Sequence, residues 1–144
     1  MFKPEIIILH HSLTDDSKTV SWNAIRQYHT NTNGWSGIGY HFGIELVGDH
    51  YEILTGRMMN EQGAHTHDHN HNTLGICFIG NYDDSDVPPE MWQLGVKFVA
   101  SLCQMLNIDN RYVLGHRDFT TIKSCPGEKF SVIGFRTDVQ VLMH

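Results

Sequence analysis

Two histidines and a cysteine stand in the sequence where a metal ion could be bound. An apolar run of four residues ends in the pair His10 and His11, a second short apolar run ends at His116, and Cys125 follows in the turn Lys-Ser-Cys-Pro-Gly. Open α/β sheets place their ligand sites at the carboxyl ends of strands, so two strand-end histidines can converge there. Two imidazoles and one thiolate leave zinc a fourth position for water, which is the pattern of a catalytic site. The competing interpretation gives these residues independent packing and capping roles.

The adjacent histidines cannot both serve one site if they lie in a strand. Successive side chains of a β-strand point to opposite faces of the sheet. One of His10 and His11 can therefore reach a given face, and we expect the other to pack or to form hydrogen bonds on the opposite face. Strand parity alone does not say which histidine has which role.

Length and composition predict one compact domain, residues 1–144, with no affinity for polyanions. The chain has 144 residues, only 18% are charged, and the formal net charge is -6. We find no basic face for nucleic acid or for stable association with a membrane, and we expect a monomer. The apolar run near the N-terminus is too short for a signal peptide or a membrane span, so we expect a cytoplasmic location in the producing cell. Three cysteines, an odd number, do not predict a disulfide framework.

Hydrophobic periodicity predicts strands that alternate with helices. Apolar stretches of strand character lie at residues 6–11, 39–47, 51–54, 73–80 and 111–114, and the second and third are joined by Gly48-Asp49 as a hairpin. Apolar residues at helical spacing predict three helices. The first follows a turn at residues 15–17 and a cap at Thr19 or Ser21, and its apolar face carries Trp22, Ile25 and Tyr28 or His29. The apolar faces of the second and third carry, respectively, Trp92, Val96, Val99, Cys103 and Leu106, and Val132, Phe135, Val139 and Leu142. We predict an α/β domain with a central mixed sheet and helices on both faces. Cys77 and Cys103 are expected to be packed core thiols.

Four histidines alternate along the run His65-Thr-His67-Asp-His69-Asn-His71. They would share one face if the segment were extended, which raises the question of a second metal site. The run does not match the H-x-H-x-D-H pattern of binuclear hydrolases, because Asp68 comes one position too early. A functional second metal site is therefore not favoured, and we expect adventitious metal binding in vitro.

Five motifs occur in order along nearly the whole chain, from about residue 5 to residue 130. They are Ile-Ile-Leu-His10-His11-Ser-Leu-Thr, Gly-Trp35 with Gly39-Tyr40-His41-Phe42, Gly63-Ala64-His65 with His71-Asn72-Thr-Leu-Gly-Ile, Gly80-Asn81-Tyr82, and Gly115-His116-Arg117-Asp118 with Lys123-Ser-Cys125-Pro-Gly. Together they resemble the zinc N-acetylmuramoyl-L-alanine amidases, which share a fold with the peptidoglycan recognition proteins. The likeness is greatest to short phage lysozyme-type amidases.

The resemblance implies a role for individual residues. His10, His116 and Cys125 match the three zinc ligands, with one zinc per chain, which leaves His11 on the opposite face. Tyr40 matches the tyrosine beside the zinc-bound water, and Lys123 matches a catalytic lysine two positions before the cysteine. The interval from His116 to Cys125 is one residue longer than the family pattern, so the placement of Lys123 depends on this loop. The remaining matched positions are expected to contact substrate: His41, His65 and Asn72.

The resemblance also implies an activity, which is zinc-assisted hydrolysis of the amide between N-acetylmuramic acid and L-alanine in peptidoglycan. An endolysin of this kind accumulates in the cytoplasm and acts on the cell wall after release. A second hypothesis is a peptidoglycan-binding module without catalysis; the presence of Cys125 favours the enzyme. A third hypothesis is a histidine-rich metal-sequestering domain, which the ordered motifs outside the histidine run do not favour.

Overall fold

Five strands form one mixed sheet in this computed structural model, which describes residues 2–13 and 22–143. The strands are β1 (Ile6–His11), β2 (Phe42–Val47), β3 (His50–Thr55), β4 (Thr73–Phe78) and β5 (Val113–Gly115), and their order across the sheet is β3-β2-β4-β1-β5. β1 runs parallel to both β4 and β5, and β2 is parallel to β4 and antiparallel to β3. The carboxyl ends of β1, β4 and β5 therefore meet at one edge of the sheet, as the strand-end histidines predict.

Helices cover both faces of the sheet. α1 (Trp22–Gln27) continues as one π-helical turn at Tyr28–Thr32, and α2 (Pro89–Leu106) and α3 (Val132–Leu142) follow later in the chain. α2 and α3 pack on the face that carries Ile7 and Leu9, whereas Trp22 of α1 packs on the face that carries Cys77. The predicted mixed sheet with helices on both faces is confirmed. Among the residues the structure describes, no helix is both long enough and apolar enough to cross a membrane.

The larger core cluster contains a group of packed aromatic rings between α2, α3 and β4. The ring of Phe135 lies 5.1 Å from that of Trp92 and 5.7 Å from those of Phe78 and Phe130. Three of these rings are fully buried, and Trp92 is half-buried. Edge-to-face contacts of this kind add to the free energy gained by burying the rings. They attach α3 to the sheet and thereby support the loop that precedes it.

Some predicted element boundaries are wrong. β2 begins at Phe42 rather than at residue 39, and β5 begins at Val113 because residues 110–112 form a short 3-10 turn. Leu142 was predicted to lie on the buried stripe of α3, but it is exposed because it is the last residue of the helix. The hairpin at residues 42–55 and the buried thiols of Cys77 and Cys103 are confirmed. The turn at 15–17 and the cap at Thr19 or Ser21 lie outside the described residues.

Candidate metal centre

Three side chains from distant parts of the sequence converge at the carboxyl edge of the sheet. His10 is near the end of β1, His116 follows β5, and Cys125 lies in the segment 123–128, which we call the cysteine loop. Their possible ligating atoms all lie within 4.8 Å of one another, and the two imidazole rings are 4.7 Å apart. Within the described parts of the chain this is the one such cluster of histidine, cysteine or acidic side chains.

The geometry of the cluster fits a zinc ion. Zn–N bonds of about 2.0–2.1 Å and a Zn–S bond of about 2.3 Å at a tetrahedral angle require an N to S distance of about 3.6 Å. Sγ of Cys125 lies 3.7 Å from Nδ1 of His10, so this pair fits without rearrangement. The backbone N–H of His11 donates to Sγ of Cys125 at 3.3 Å, which would stabilise a thiolate. Two imidazoles, one thiolate and an open side are the donor set of a catalytic zinc site.

Burial sets the protonation of the three candidate ligands. It lowers the pKa of His10 well below the ordinary value and lowers the pKa of His116 to about 4, with the nearby charge of Lys123 acting in the same direction. Both imidazoles are therefore neutral near pH 7 and able to bind a metal. Burial also raises the pKa of the Cys125 thiol to about 11, so metal binding must displace the thiol proton.

His11 lies on the other face of the sheet, as strand parity requires. Its Nδ1 accepts a hydrogen bond of 3.1 Å from the backbone N–H of Tyr82, and the two rings are 6.3 Å apart. The prediction that one histidine of the pair packs and forms hydrogen bonds away from the site is confirmed for His11. Burial lowers the pKa of its imidazole, which keeps Nδ1 available as an acceptor.

The cluster opens into a cavity of about 770 Å³. Tyr40 and Lys123 both line it, together with Trp35 and Ile122. The ring of Tyr40 lies 5.1 Å from the ring of His10, and burial raises the pKa of its hydroxyl well above 10. The longer interval before Cys125 still brings Lys123 to the cavity, where its side chain is exposed. The structure thus places both predicted catalytic side chains beside the candidate metal ligands.

The three predicted substrate residues are placed differently. His65 lines the cavity, and its Nδ1 is 2.9 Å from Nε2 of His10. His41 is completely buried behind it, where Nε2 donates to the carbonyl of Glu61 and Nδ1 accepts from the N–H of Gly75. Asn72 does not line the cavity, because it precedes β4 and lies at the opposite edge of the sheet. Its carbonyl accepts hydrogen bonds there from the backbone N–H groups of residues 5 and 6.

The histidine run is folded into turns rather than extended. Asp68 has a φ of 66°, which breaks the alternation that would place all four histidines on one face. His67 is almost fully exposed, and the ring of His69 packs 4.7 Å from that of Phe119. The described residues of this run contribute to no second cluster of possible metal ligands.

Two polar residues that the sequence analysis missed organise the site. Oδ1 of Asn70 accepts from the backbone N–H groups of His65 and Thr66 and so fixes the turn that carries His65. Asp83 accepts from the Ser124 hydroxyl at 3.0 Å and from the Glu128 N–H at 2.8 Å, which fastens the cysteine loop from both sides of Cys125. These hydrogen bonds hold the pKa of the Asp83 carboxyl below its usual range. An asparagine within a turn was the available signal for the first; nothing local marked the second.

Residues 2–128 match the protein family described as N-acetylmuramoyl-L-alanine amidase. The chain belongs to this amidase family. It is 38% identical over 128 residues to the endolysin of Escherichia phage T7, a match that covers 85% of this chain and 80% of the endolysin. It is 32% identical over 126 residues to peptidoglycan-recognition protein SC1a of Drosophila melanogaster, covering 83% of this chain. The chain spans only 66% of the length of that recognition protein.

Solved structures of amidase-family and recognition proteins have the same fold. N-acetylmuramoyl-L-alanine amidase LysC from Clostridium intestinale superposes with a TM-score of 0.85 at 29% identity, covering 96% of this chain and 87% of that chain. A Drosophila PGRP-LB variant in complex with tracheal cytotoxin superposes with a TM-score of 0.74 at 30% identity, covering 90% of this chain and 79% of that chain. The predicted membership of the amidase and recognition-protein superfamily is confirmed.

Proposed function

We propose that this protein is a zinc-dependent peptidoglycan hydrolase that cleaves the amide between N-acetylmuramic acid and L-alanine. The observation that carries the proposal is the convergence of His10, His116 and Cys125 at the floor of an open cavity. A recognition module needs a groove but has no need of three metal-binding side chains in it. The endolysin and amidase relatives support the same reaction class.

His10, His116 and Cys125 would hold the metal through two neutral imidazoles and a thiolate. A zinc ion in this position supplies a Lewis acid that acidifies water and polarises an amide carbonyl. Because both imidazoles are already neutral near pH 7, the thiol is the one ligand that must release a proton. The N–H of His11 then donates to a negatively charged sulfur. This hydrogen bond favours the thiolate and offsets part of the effect of burial on Cys125.

Tyr40 and Lys123 supply the remaining chemistry. Burial keeps the Tyr40 hydroxyl protonated throughout the physiological range, so it can donate a hydrogen bond and orient the attacking water. Lys123 brings an exposed ammonium group to the lining of the cavity, where it can stabilise the negative charge that develops on the amide oxygen. The two groups act from separate elements, the segment before β2 and the cysteine loop.

The cavity is large enough for part of a muropeptide. Its volume of about 770 Å³ lies within the range of about 300–1,000 Å³ that is typical of small-molecule sites. Trp35 and Ile122 offer apolar surface in its lining, and the histidines and Asn70 offer hydrogen bonds. The solved complex of a PGRP-LB variant with tracheal cytotoxin supports ligand binding by a protein of this fold.

The test combines metal analysis with product analysis for wild type, Cys125→Ser and the matched thiol variant Cys103→Ala. Cys103 is buried in α2 away from the site, so its loss controls for removal of a buried thiol. We expect about one zinc per chain and release of stem peptides beginning at L-alanine from isolated sacculi for wild type and Cys103→Ala. We expect neither for Cys125→Ser. Sacculi that are bound but left intact by the zinc-loaded wild type would instead indicate a recognition module.

A further inference from the structure

We propose that His65 is a positioning residue that holds His10 with its proton on Nε2 and so leaves Nδ1 free for the metal. This inference rests on the proposed zinc site and adds a role that substrate contact does not explain. Nε2 of His10 lies 2.9 Å from Nδ1 of His65, while Nδ1 of His10 faces Sγ of Cys125 at 3.7 Å. The two nitrogens of one ring thus point to two different partners.

The direction of the hydrogen bond between the two histidines follows from the partners of His65. The hydroxyl of Thr73 donates to the backbone carbonyl of His69 at 2.7 Å, so it can only accept from Nε2 of His65, which lies 3.3 Å away. The backbone carbonyl of Thr73 accepts from the same ring. His65 therefore carries its proton on Nε2, and its Nδ1 is an acceptor. Because Nδ1 of His65 is the acceptor of this hydrogen bond, Nε2 of His10 must carry the proton and donate it.

Thr66 is consistent with the same assignment. Its Oγ1 lies 3.0 Å from Nδ1 of His65 and 3.4 Å from Nε2 of His10, and Thr66 itself is buried. A hydroxyl can accept a hydrogen bond from Nε2 of His10 as well as donate one, so Thr66 is compatible with the proton position that His65 requires.

The residues around His65 hold its ring in place. The ring lies against Gly75 of β4, where an added Cβ would be 2.5 Å from Cγ of the ring. The ring of His41 packs against it at 5.8 Å, and Asn70 holds its backbone N–H.

A partner on the second nitrogen of a metal-binding histidine fixes the tautomer and the orientation of the ring. Removal of such partners typically weakens metal binding by about 10–100-fold. Without His65, the completely buried Nε2–H of His10 would lose its strongest acceptor, and the form with the proton on Nδ1 would become competitive. That form cannot offer Nδ1 to zinc.

The experiment measures the tautomer of His10 and the zinc affinity of wild type and three variants. His65→Phe keeps a ring without an acceptor, and His65→Asn keeps an oxygen close to the position of Nδ1. His71→Phe removes an exposed histidine of the same loop and serves as the control. Imidazole ¹⁵N chemical shifts of the metal-free protein report the tautomer, and competition with a chelating dye gives the dissociation constant for zinc.

We expect the wild type and His71→Phe to carry the His10 proton on Nε2. His65→Phe should shift His10 towards the other tautomer and weaken zinc binding by about 10–100-fold, and His65→Asn should restore the tautomer and most of the affinity. A proton on Nδ1 of His10 in the wild type would overturn the inference without any variant. Equal tautomers and equal affinities in wild type and folded His65→Phe would also overturn it.

The readouts separate this inference from the proposed function. The tautomer is measured without metal or substrate, so it stands or falls independently of sacculus cleavage. A wild type with the expected tautomer and zinc affinity but no cleavage would contradict the hydrolase proposal alone. A wild type that cleaves sacculi with its His10 proton on Nδ1 would contradict the positioning role alone.

Discussion

Substitution of Gly75 by alanine tests the contact between β4 and His65 without changing a polar group. A Cβ at residue 75 would lie 2.5 Å from Cγ, 2.6 Å from Cδ2 and 2.8 Å from Nδ1 of the His65 ring. The strand cannot withdraw easily, because Gly75 pairs with Ile8 in β1 and exchanges two hydrogen bonds with His41. The imidazole of His65 must therefore move away from residue 75.

The size of the effect follows from these distances. Carbon atoms at van der Waals contact are about 3.5–4.0 Å apart, so the ring must retreat by about 1 Å. A retreat of that size opens the 2.9 Å contact with His10 beyond hydrogen-bond range unless His10 follows, and His10 is held in β1. Overpacking costs about 1–3 kcal/mol and the lost hydrogen bond about 1 kcal/mol. We expect a loss of about 2–4 kcal/mol in the free energy of unfolding and zinc affinity lowered about 10-fold or more.

The assay pairs urea unfolding of the metal-free protein with zinc titration of the same preparations. Gly37→Ala is the matched control, because a Cβ at that residue meets no atom within 4 Å. It should change the free energy of unfolding by less than about 1 kcal/mol and leave zinc binding unaltered. If Gly75→Ala behaves like Gly37→Ala in both measurements, the argument that this glycine seats the His65 ring is wrong.

Three further predictions concern the core, the pH and the cysteine loop. Phe135→Ala should lower the free energy of unfolding by about 3–5 kcal/mol in urea titration. Ile133→Ala, at an exposed position of the same helix, should change it by less than about 0.5 kcal/mol. Similar losses for the two variants would contradict the assigned core. Acidifying the metal-free protein from pH 7 to pH 5 should lower its free energy of unfolding by about 2 kcal/mol through His65 alone. The pKa of His65 is about 3 in the folded protein and about 6.5 in the unfolded chain, so the unfolded chain takes up a proton that the folded protein does not. The stabilising contribution of neutral His65 is present in full above pH 6.5, and His65→Asn should lack it. Asp83→Ala should lower the free energy of unfolding by about 1–2 kcal/mol, because the cysteine loop loses two hydrogen bonds, and it should weaken zinc binding. Calorimetry measures both effects, and Asp86→Ala, an exposed neighbour, should show neither.

The position of Asn72 shows how strand direction limits motif-based assignment. Asn72 belongs to a motif of the amidase family, yet it precedes β4, whereas the candidate metal centre lies beyond the carboxyl ends of the strands. A strand of six residues is about 20 Å long, so the two ends cannot serve one small site directly. Motif matching groups residues by their order in the chain, whereas a site groups them by their end of the sheet.

The partner of His10 could not be predicted from the sequence. His65 follows it by 55 residues and reaches it through a turn fixed by Asn70, with a φ of 66° at Asp68. The alternation along the histidine run would place its histidines on one face only if the segment were extended, and the segment is folded into turns. The hydrogen bonds of a loop depend on contacts with distant strands, which no local pattern encodes.

Sequence patterns predicted the strands and helices, the opposite faces of His10 and His11, and the family to which the chain belongs. These features depend on the two-residue period of a strand, the 3.6-residue period of a helix and the order of motifs, all of which are local. Folding of the whole chain sets the distance of 3.7 Å between Cys125 and His10 and brings Asp83 to the cysteine loop. Distances of this kind depend on how strands pair and how loops close, because each joins residues far apart in the chain.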